Sequence, residues 1–342
     1  MSCGVVIVSW NGESWLGQCL SSVVAQAAPP ATIVVIDNAS DDRSLEIVAT
    51  FESSLLALGG RLIVVREENN TGFTRAANRG LNTLLASDTR VEFAVLLNQD
   101  AALDPGWIRE AARVLNDDER IGVLGAKIHL PNGFTIQHAG GYIERPRMIG
   151  RHFAHHQPDQ RPDLHQQREV EFVTAAAMAV RLDALRDVGV FAEIFSPGYY
   201  EDVDLCDRMR AASWKVMYSP ALVARHAESI SFGQRDDLRS LAHRNRLVYA
   251  LPYLVDAALR EAFSRAEREY FRSHPPLDDH RALALAYLSV LLGLRDAVAA
   301  RVPRADRSRE LTEALVDMFT ELRRELLEEG QRRAPIRVAR HG

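Results

Sequence analysis

The sequence predicts an α/β protein with a doubly wound, mostly parallel sheet and a helical C-terminal extension. Three observations carry this. The first hundred residues alternate short apolar runs with helical stretches. The first of those runs is β-branched and unalternated, the pattern of a strand covered on both faces, and the second reads as buried too. From about Leu238 onward no strand signal remains. Repeated βα units of this kind form a parallel sheet through right-handed crossovers.

Residues 4–9 are the first strand. A helix follows, with Leu16, Leu20, Val23 and Val24 at helical spacing, stopped by Pro29-Pro30. Residues 32–36 are a second strand ending at Asp37-Asn38. Residues 44–58 read as one helix, broken by Gly59-Gly60, and 62–65 as a third strand. Residues 74–86 are helical, and 93–97 are a fourth strand ending at Asn98-Gln99-Asp100. Pro131-Asn132-Gly133 makes a turn between strand-like 123–129 and 134–136. Residues 145–168, rich in His, Pro, Gln and Arg, read as a long loop. Residues 171–180 resume as a strand, 183–187 are a short helix ended by Gly189, and 199–210 are a helix with an acidic start. Leu311, Leu315, Met318, Leu322 and Leu326 form a helical stripe. The shift in pattern places a domain boundary near 236, giving 1–236 and 237–342.

A chain of 342 residues allows about two domains. Apolar residues are 47% and charged residues 25%, which excludes a mainly disordered chain. The net charge of −5 gives no global positive field for nucleic acid. Cys3, Cys19 and Cys206 are odd in number and make no CxxC pair, so a reducing, cytoplasmic setting is expected. Met1-Ser2-Cys3-Gly4 has no basic n-region, so no signal peptide is expected. The longest apolar stretch, 282–294, is shorter than the roughly 20 residues of a membrane span. It reads as a buried helix or a dimer face, with an interfacial membrane helix as the alternative.

Ligands of doubly wound sheets bind beyond the carboxyl ends of the strands. Here four strand ends in succession are polar: Ser9 and Asn11, Asp37 and Asn38, Asn69 and Asn70, Asn98 and Asp100. A carboxylate such as Asp37 can accept from a nucleobase N–H or a ribose hydroxyl, although Asp37 and Ser40 equally suit a turn and helix cap. Asp100 suits a hard divalent cation, which takes carboxylate and phosphate oxygens. Glu201, Asp202, Asp204 and Asp207 crowd one helix start, where the macrodipole favours acids. Tyr199-Tyr200, Met209, Trp214 and Tyr218 argue that this helix is packed. His226 follows an apolar strand, a position more often structural than ligating. His152, His155, His156 and His165 match no zinc spacing, and their segment reads as an acceptor-side flap. Neither GxGxxG nor GxxxxGK[ST] follows a strand, which excludes dinucleotide oxidoreductases and P-loop NTPases.

In their order these segments resemble the family 2 glycosyltransferases of GT-A fold, and most of all their rhamnosyltransferase-like branch. The resemblance rests on Val5-Val6-Ile7-Val8-Ser9-Trp10-Asn11, Val35-Ile36-Asp37-Asn38-Ala39-Ser40-Asp41-Asp42, Asn70-Thr71-Gly72-Phe73 with Asn78-Arg79-Gly80, Leu96-Leu97-Asn98-Gln99-Asp100, Glu201-Asp202-Val203-Asp204-Leu205 and His226. It covers about two thirds of the chain, through about residue 235. The resemblance implies a nucleotide-binding role for Asp37, with Ser9, Asn11, Asn38, Asn70, Gly72, Asn78 and Asn98 around the donor. It implies Asp100 and His226 as partners of Mn²⁺ or Mg²⁺, Asp202 as catalytic base and Glu201 beside it. Two departures stand out. Asn98 replaces the first acid of a DXD motif, and Arg75 stands where the branch more often has a small residue.

The implied activity is inverting, metal-dependent transfer of a sugar from a nucleotide-diphospho-sugar to a glycan or lipid-linked hydroxyl. A dTDP- or UDP-sugar is the implied donor, with rhamnose first. Peripheral contact with the inner face of the cell membrane and self-association are further expectations to test. The competing readings are a sugar-1-phosphate nucleotidyltransferase and a non-catalytic sugar-nucleotide-binding relative. The first would place a Gly-rich, basic loop after strand one, and Ser9-Trp10-Asn11-Gly12-Glu13 lacks it.

Overall fold

Strand–helix units begin at the third residue. In the computed structural model, which describes residues 1–87, 90–227 and 235–333, β1 (Cys3–Ser9) leads through α1 (Leu16–Val24) to β2 (Thr32–Asp37). Then come α2 (Ser44–Ala49), α3 (Glu52–Ala57), β3 (Arg61–Arg66), α4 (Phe73–Ser87), β4 (Phe93–Asn98), β5 (Ala101–Leu103) and α5 (Trp107–Asp117). The middle supplies β6 (Ile121–His129), β7 (Ile136–His138), β8 (Gly141–Glu144), β9 (Ile149–His152), β10 (Arg168–Glu169), β11 (Ala177–Arg181), α6 (Leu182–Val188), α7 (Glu201–Ala211) and β12 (Lys215–His226). Five helices follow: α8 (Arg235–Ala250), α9 (Ala257–Arg272), α10 (Leu277–Leu292), α11 (Leu294–Arg301) and α12 (Arg309–Arg333).

The main sheet runs β10-β12-β6-β11-β4-β1-β2-β3, with β5 on β12 and β7 on β6. β1, β2, β3 and β4 pair in parallel, as do β6 and β12. β11 is antiparallel to both β4 and β6. The chain winds from β1 to β3 in one direction, then returns to place β4 on the other side of β1. Val5, Val6 and Ile7 of β1 are buried, as are Ile33 to Ile36 of β2. Each such side chain contributes about 1.5–3 kcal/mol of burial.

Three local expectations change. The helix expected over 44–58 divides at Thr50, whose hydroxyl donates back to the Ile47 carbonyl at 2.7 Å, a bond that bends helices. The strand expected over 171–180 begins only at Ala177. Before it, Glu171 N donates to Gly141 O and Ala175 N donates to Asp202, so this stretch leaves the ladder. The segment 145–168 is not a plain loop. It contains β9 and a 3₁₀ turn at Pro162–His165. Lys127 Nζ binds both oxygens of Asp159 at 3.0 and 2.9 Å, and His129 Nε2 joins them at 3.0 Å.

The chain divides into two compact units, Met1–Ile143 with Gly150–Ser231, and Glu144–Ile149 with Phe232–Gly342. In the second unit the stripe of α12 is Leu311, Leu315, Phe319, Leu322 and Leu326, all buried, with Met318 only half-buried. Buried Glu267 accepts from Arg147 Nε at 2.6 Å, from both terminal nitrogens of Arg246 and from the Tyr287 hydroxyl. Burial opposes its charge, but the two guanidiniums pull its pKa down to about 2. Among the described residues no single helix is long and apolar enough to cross a membrane, although α10 and α11 pass that test as a pair bent by 78°.

Candidate active site

The candidate site lies at the carboxyl ends of the parallel strands, where the winding reverses between β4 and β1. Ser9 closes β1 in register with Asp37 at the end of β2. Asn98 closes β4 in register with Val8. Ser9 Oγ and both carboxylate oxygens of Asp37 are buried without a hydrogen-bond partner among the described residues. Arg66 Nε approaches Asp37 Oδ2 only to 3.7 Å, from a largely exposed side chain. Buried polar groups are nearly always satisfied, so two such orphans side by side mark a place for a ligand's donors and acceptors.

His226 is 126 residues from Asp100 in sequence. The β5–β12 pairing brings them together by setting Ala101 opposite His226. Ala227 N then donates to the Asp100 carbonyl at 3.1 Å. His226 Nε2 lies 3.0 Å from Asp100 Oδ1 and 3.1 Å from Asn98 Nδ2. Its Nδ1 lies 3.0 Å from Gln137 Oε1. An amide oxygen only accepts, so this contact puts a proton on Nδ1 and leaves Nε2 as the ring nitrogen turned to the carboxylate, free to ligate a cation bound between them. An imidazole nitrogen and a carboxylate oxygen 3.0 Å apart fit a divalent cation whose remaining ligands are phosphate oxygens or water. Among the described residues no group of three or more His, Cys, Asp or Glu side chains is arranged to hold an ion alone.

Asp202 sits in the first turn of α7. Tyr199 and Tyr200 just before it are left-handed, with φ of 73° and 70°, a costly conformation for bulky residues. The Tyr200 hydroxyl is fixed by Gly150 N at 3.0 Å. Asp202 Oδ2 accepts from Ala175 N at 3.3 Å and Oδ1 from Val203 N at 2.8 Å. The adjacent Ala176 carbonyl accepts from Asn98 N at 3.0 Å. Two consecutive residues thus tether the Asp202 carboxylate and the end of β4.

Other residues expected around the donor are occupied within the protein. Asn38 Nδ2 donates to Asn70 Oδ1 at 2.9 Å, while its Oδ1 accepts from Thr71 N at 2.9 Å. Asn70 Oδ1 also accepts from Gly72 N. Gly72 has φ of 80°, and a Cβ there would lie 2.4 Å from Pro197 Cβ. Asn78 makes two bonds with the Phe191 backbone, both 2.9 Å. Asn11 Oδ1 accepts from Asp41 N, linking two strand-end loops. Arg75 pairs with exposed Glu193 at 3.4 Å.

A family model described as "Glycosyltransferase like family 2" matches residues 2–245. The chain belongs to that family. It is 28% identical over 223 residues to the uncharacterized protein y4gI of Sinorhizobium fredii, covering 63% of this chain but only 23% of that relative. It is 27% identical over 267 residues to an N-acetylglucosaminyl-diphospho-decaprenol L-rhamnosyltransferase of Mycobacterium tuberculosis, covering 72% of this chain and 82% of the relative. In fold it is similar to residues 1–349 of S. aureus TarS in complex with UDP-GlcNAc, with TM-score 0.54, 15% identity, and 96% and 92% of the two chains covered. It is also similar to GalNAc-T7 with UDP, GalNAc and Mn²⁺, with TM-score 0.55, 16% identity, and 78% and 51% covered. The sheet with its helices is the expected GT-A fold, and the chain carries a glycosyltransferase domain.

The carboxylates of this glycosyltransferase differ in environment. Burial pushes the Glu201 carboxyl well above the usual range, and the Asp202 charge adds to it. Glu201 Oε2 is buried without a hydrogen-bond partner among the described residues. Burial also raises Asp202, against the pull of N–H donors from Val203 and Ala175 and of Thr174. Asp204 is spent on Arg208 Nε at 2.9 Å. Sequence reasoning missed Gln137, Thr174, Ala175 and the bond pair between Gln99 and the Trp10 backbone. Only strand register and loop closure bring these residues to the site, and neither leaves a local signal.

Proposed function

We propose that this glycosyltransferase moves a sugar from a nucleotide-diphospho-sugar to a hydroxyl of a glycan or lipid-linked acceptor, in one inverting displacement. The observation that carries the reading is the buried Asp37 carboxylate beside the buried Ser9 hydroxyl, both without a hydrogen bond among the described residues, on the strand ends that also carry Asp100. Asp37 accepts from a nucleobase N–H or ribose hydroxyl, and Asn98 adds a polar contact to the donor. Asp100 and His226 would hold Mn²⁺ or Mg²⁺, which would neutralise the diphosphate leaving group as a Lewis acid. Asp202 takes the proton from the acceptor hydroxyl as its oxygen attacks the anomeric carbon. Glu201 orients the acceptor. Ser9 completes the donor pocket, Asn11, Asn38, Asn70 and Gly72 hold its walls in place, and Asn78, expected at the donor, instead braces α4 against Phe191. Catalysis belongs to the sheet unit expected over 1–236, and the helices described between Arg235 and Arg333 lie beyond it in sequence.

A rhamnosyl donor is favoured by the mycobacterial relative, and a UDP-sugar by the nucleotides in TarS and GalNAc-T7. The product would be a surface polysaccharide or glycolipid. Peripheral contact with a membrane is favoured by Leu277, Leu285, Leu288 and Leu292 on α10, all exposed, with Leu292 at 81%. They lie on one face with exposed Arg281, and exposed Arg295 follows.

The test is initial-rate transfer from dTDP-rhamnose and from UDP-sugars to a polyprenyl-diphospho-sugar, with Mn²⁺ and with EDTA. The product's anomeric configuration is read by NMR. Turnover with one donor class, lost in EDTA and with inversion, is expected. Retained configuration or full turnover in EDTA contradicts the reading.

A further inference from the structure

Gln137 lies far in sequence from every motif of the site, on the three-residue strand β7. Its side chain is buried, at 7% exposure, and its Oε1 meets His226 Nδ1 at 3.0 Å. Successive strand residues point to opposite faces. The next residue, His138, accordingly points elsewhere and meets His152, Nδ1 to Nδ1, at 2.8 Å.

Both edges of β7 are held. On one side it pairs with β6, where Ile128 faces His138 and His129 faces Ile136. On the other, Ile136 N donates to Gln157 O and its carbonyl accepts from His156 N, both at 2.8 Å. The turn before it is fixed by Asn132 Oδ1, which accepts from Phe134 N and Thr135 N. Asp159 N donates to the Phe134 carbonyl, and the Asp159 carboxylate is gripped by Lys127 and His129. The His-rich segment therefore clamps β7 against the sheet, and β7 carries Gln137 to the imidazole.

We infer that Gln137 is a positioning residue that fixes the tautomer and orientation of His226, so that Nε2 faces Asp100 as a metal-binding lone pair. This rests on the metal-assisted reading above. The residue acts through His226 and touches neither donor nor acceptor. Partners of this kind typically change metal affinity by about 10–100-fold.

The test is titration of Mn²⁺ into the full chain holding UDP, with free Mn²⁺ read by electron paramagnetic resonance. Gln137→Leu keeps the volume but removes the acceptor, and it should weaken Mn²⁺ binding by about 10–100-fold. Gln137→Glu still accepts from Nδ1–H and should bind Mn²⁺ about as tightly as the wild type. In metal-free protein, ¹⁵N NMR should show a proton on His226 Nδ1 in the wild type and in Gln137→Glu, but not in Gln137→Leu, where Nε2 facing Asp100 takes it. A merely structural role would not make Mn²⁺ affinity and tautomer follow the acceptor. Equal Mn²⁺ affinity in Gln137→Leu and wild type overturns the assignment alone. A wild type that binds UDP but no Mn²⁺ overturns the metal-assisted reading as well.

Discussion

Three acids crowd the first turn of α7, and their surroundings separate them. Asp204 is fully buried against Arg208. Glu201 is buried with one oxygen lacking a hydrogen bond among the described residues, and Asp202 is half-buried on donors from Ala175 and Val203. Asp202→Asn keeps the shape and removes the basicity. It should lower kcat by about 10²–10⁴-fold with donor affinity nearly unchanged. A base must be ionised, and burial raises the Asp202 pKa. Activity should therefore fall as pH drops through a value above the ordinary carboxylate range of about 4. A kcat–pH profile checks this, and Asp202→Asn should lose the acid limb. Near-normal turnover in Asp202→Asn, with loss in Glu201→Gln, would reassign the base. Asp204→Asn breaks a buried pair and should instead cost about 3–5 kcal/mol in denaturant unfolding.

The strand ends were legible because each buried apolar run stops at a polar residue, and the topology makes those stops one crevice edge. The use of each amide was not legible. Asn78 reads as a donor contact by resemblance, yet it closes a two-bond clamp on Phe191. Asn38 and Asn70 bind one another and the Thr71-Gly72 turn. Residue type alone cannot say whether an amide faces a ligand or a neighbouring loop. For the same reason Gln137 was invisible: its place follows from the β6–β7 register, which no local pattern encodes. Asn78→Ala leaves the Phe191 N–H and carbonyl buried and unpaired. Each unsatisfied group costs about 1–3 kcal/mol. Chemical denaturation should show that loss, while calorimetry should find UDP affinity within about twofold of wild type. Loss of UDP affinity with unchanged stability would return Asn78 to the donor site.

At the scale of the molecule, the chain combines a sheet unit holding every site residue with a helical unit that exposes a leucine face on α10. The full chain should co-sediment with vesicles containing phosphatidylglycerol, and Leu288→Ser with Leu292→Ser should release it. Light scattering that instead shows a dimer, dissociated by the same substitutions, would assign that face to a second copy. The central claim is that the strand-end crevice of the sheet unit is a metal-assisted nucleotide-sugar site. Its most direct test is calorimetric titration of UDP and dTDP into the full chain with Mn²⁺, repeated in EDTA, for wild type, Asp37→Ala and Asp100→Ala. The account predicts measurable nucleotide binding with Mn²⁺, weakened by EDTA and by Asp100→Ala, and lost in Asp37→Ala under all conditions. Equal affinity in Mn²⁺ and EDTA, or full binding in Asp37→Ala, would contradict it.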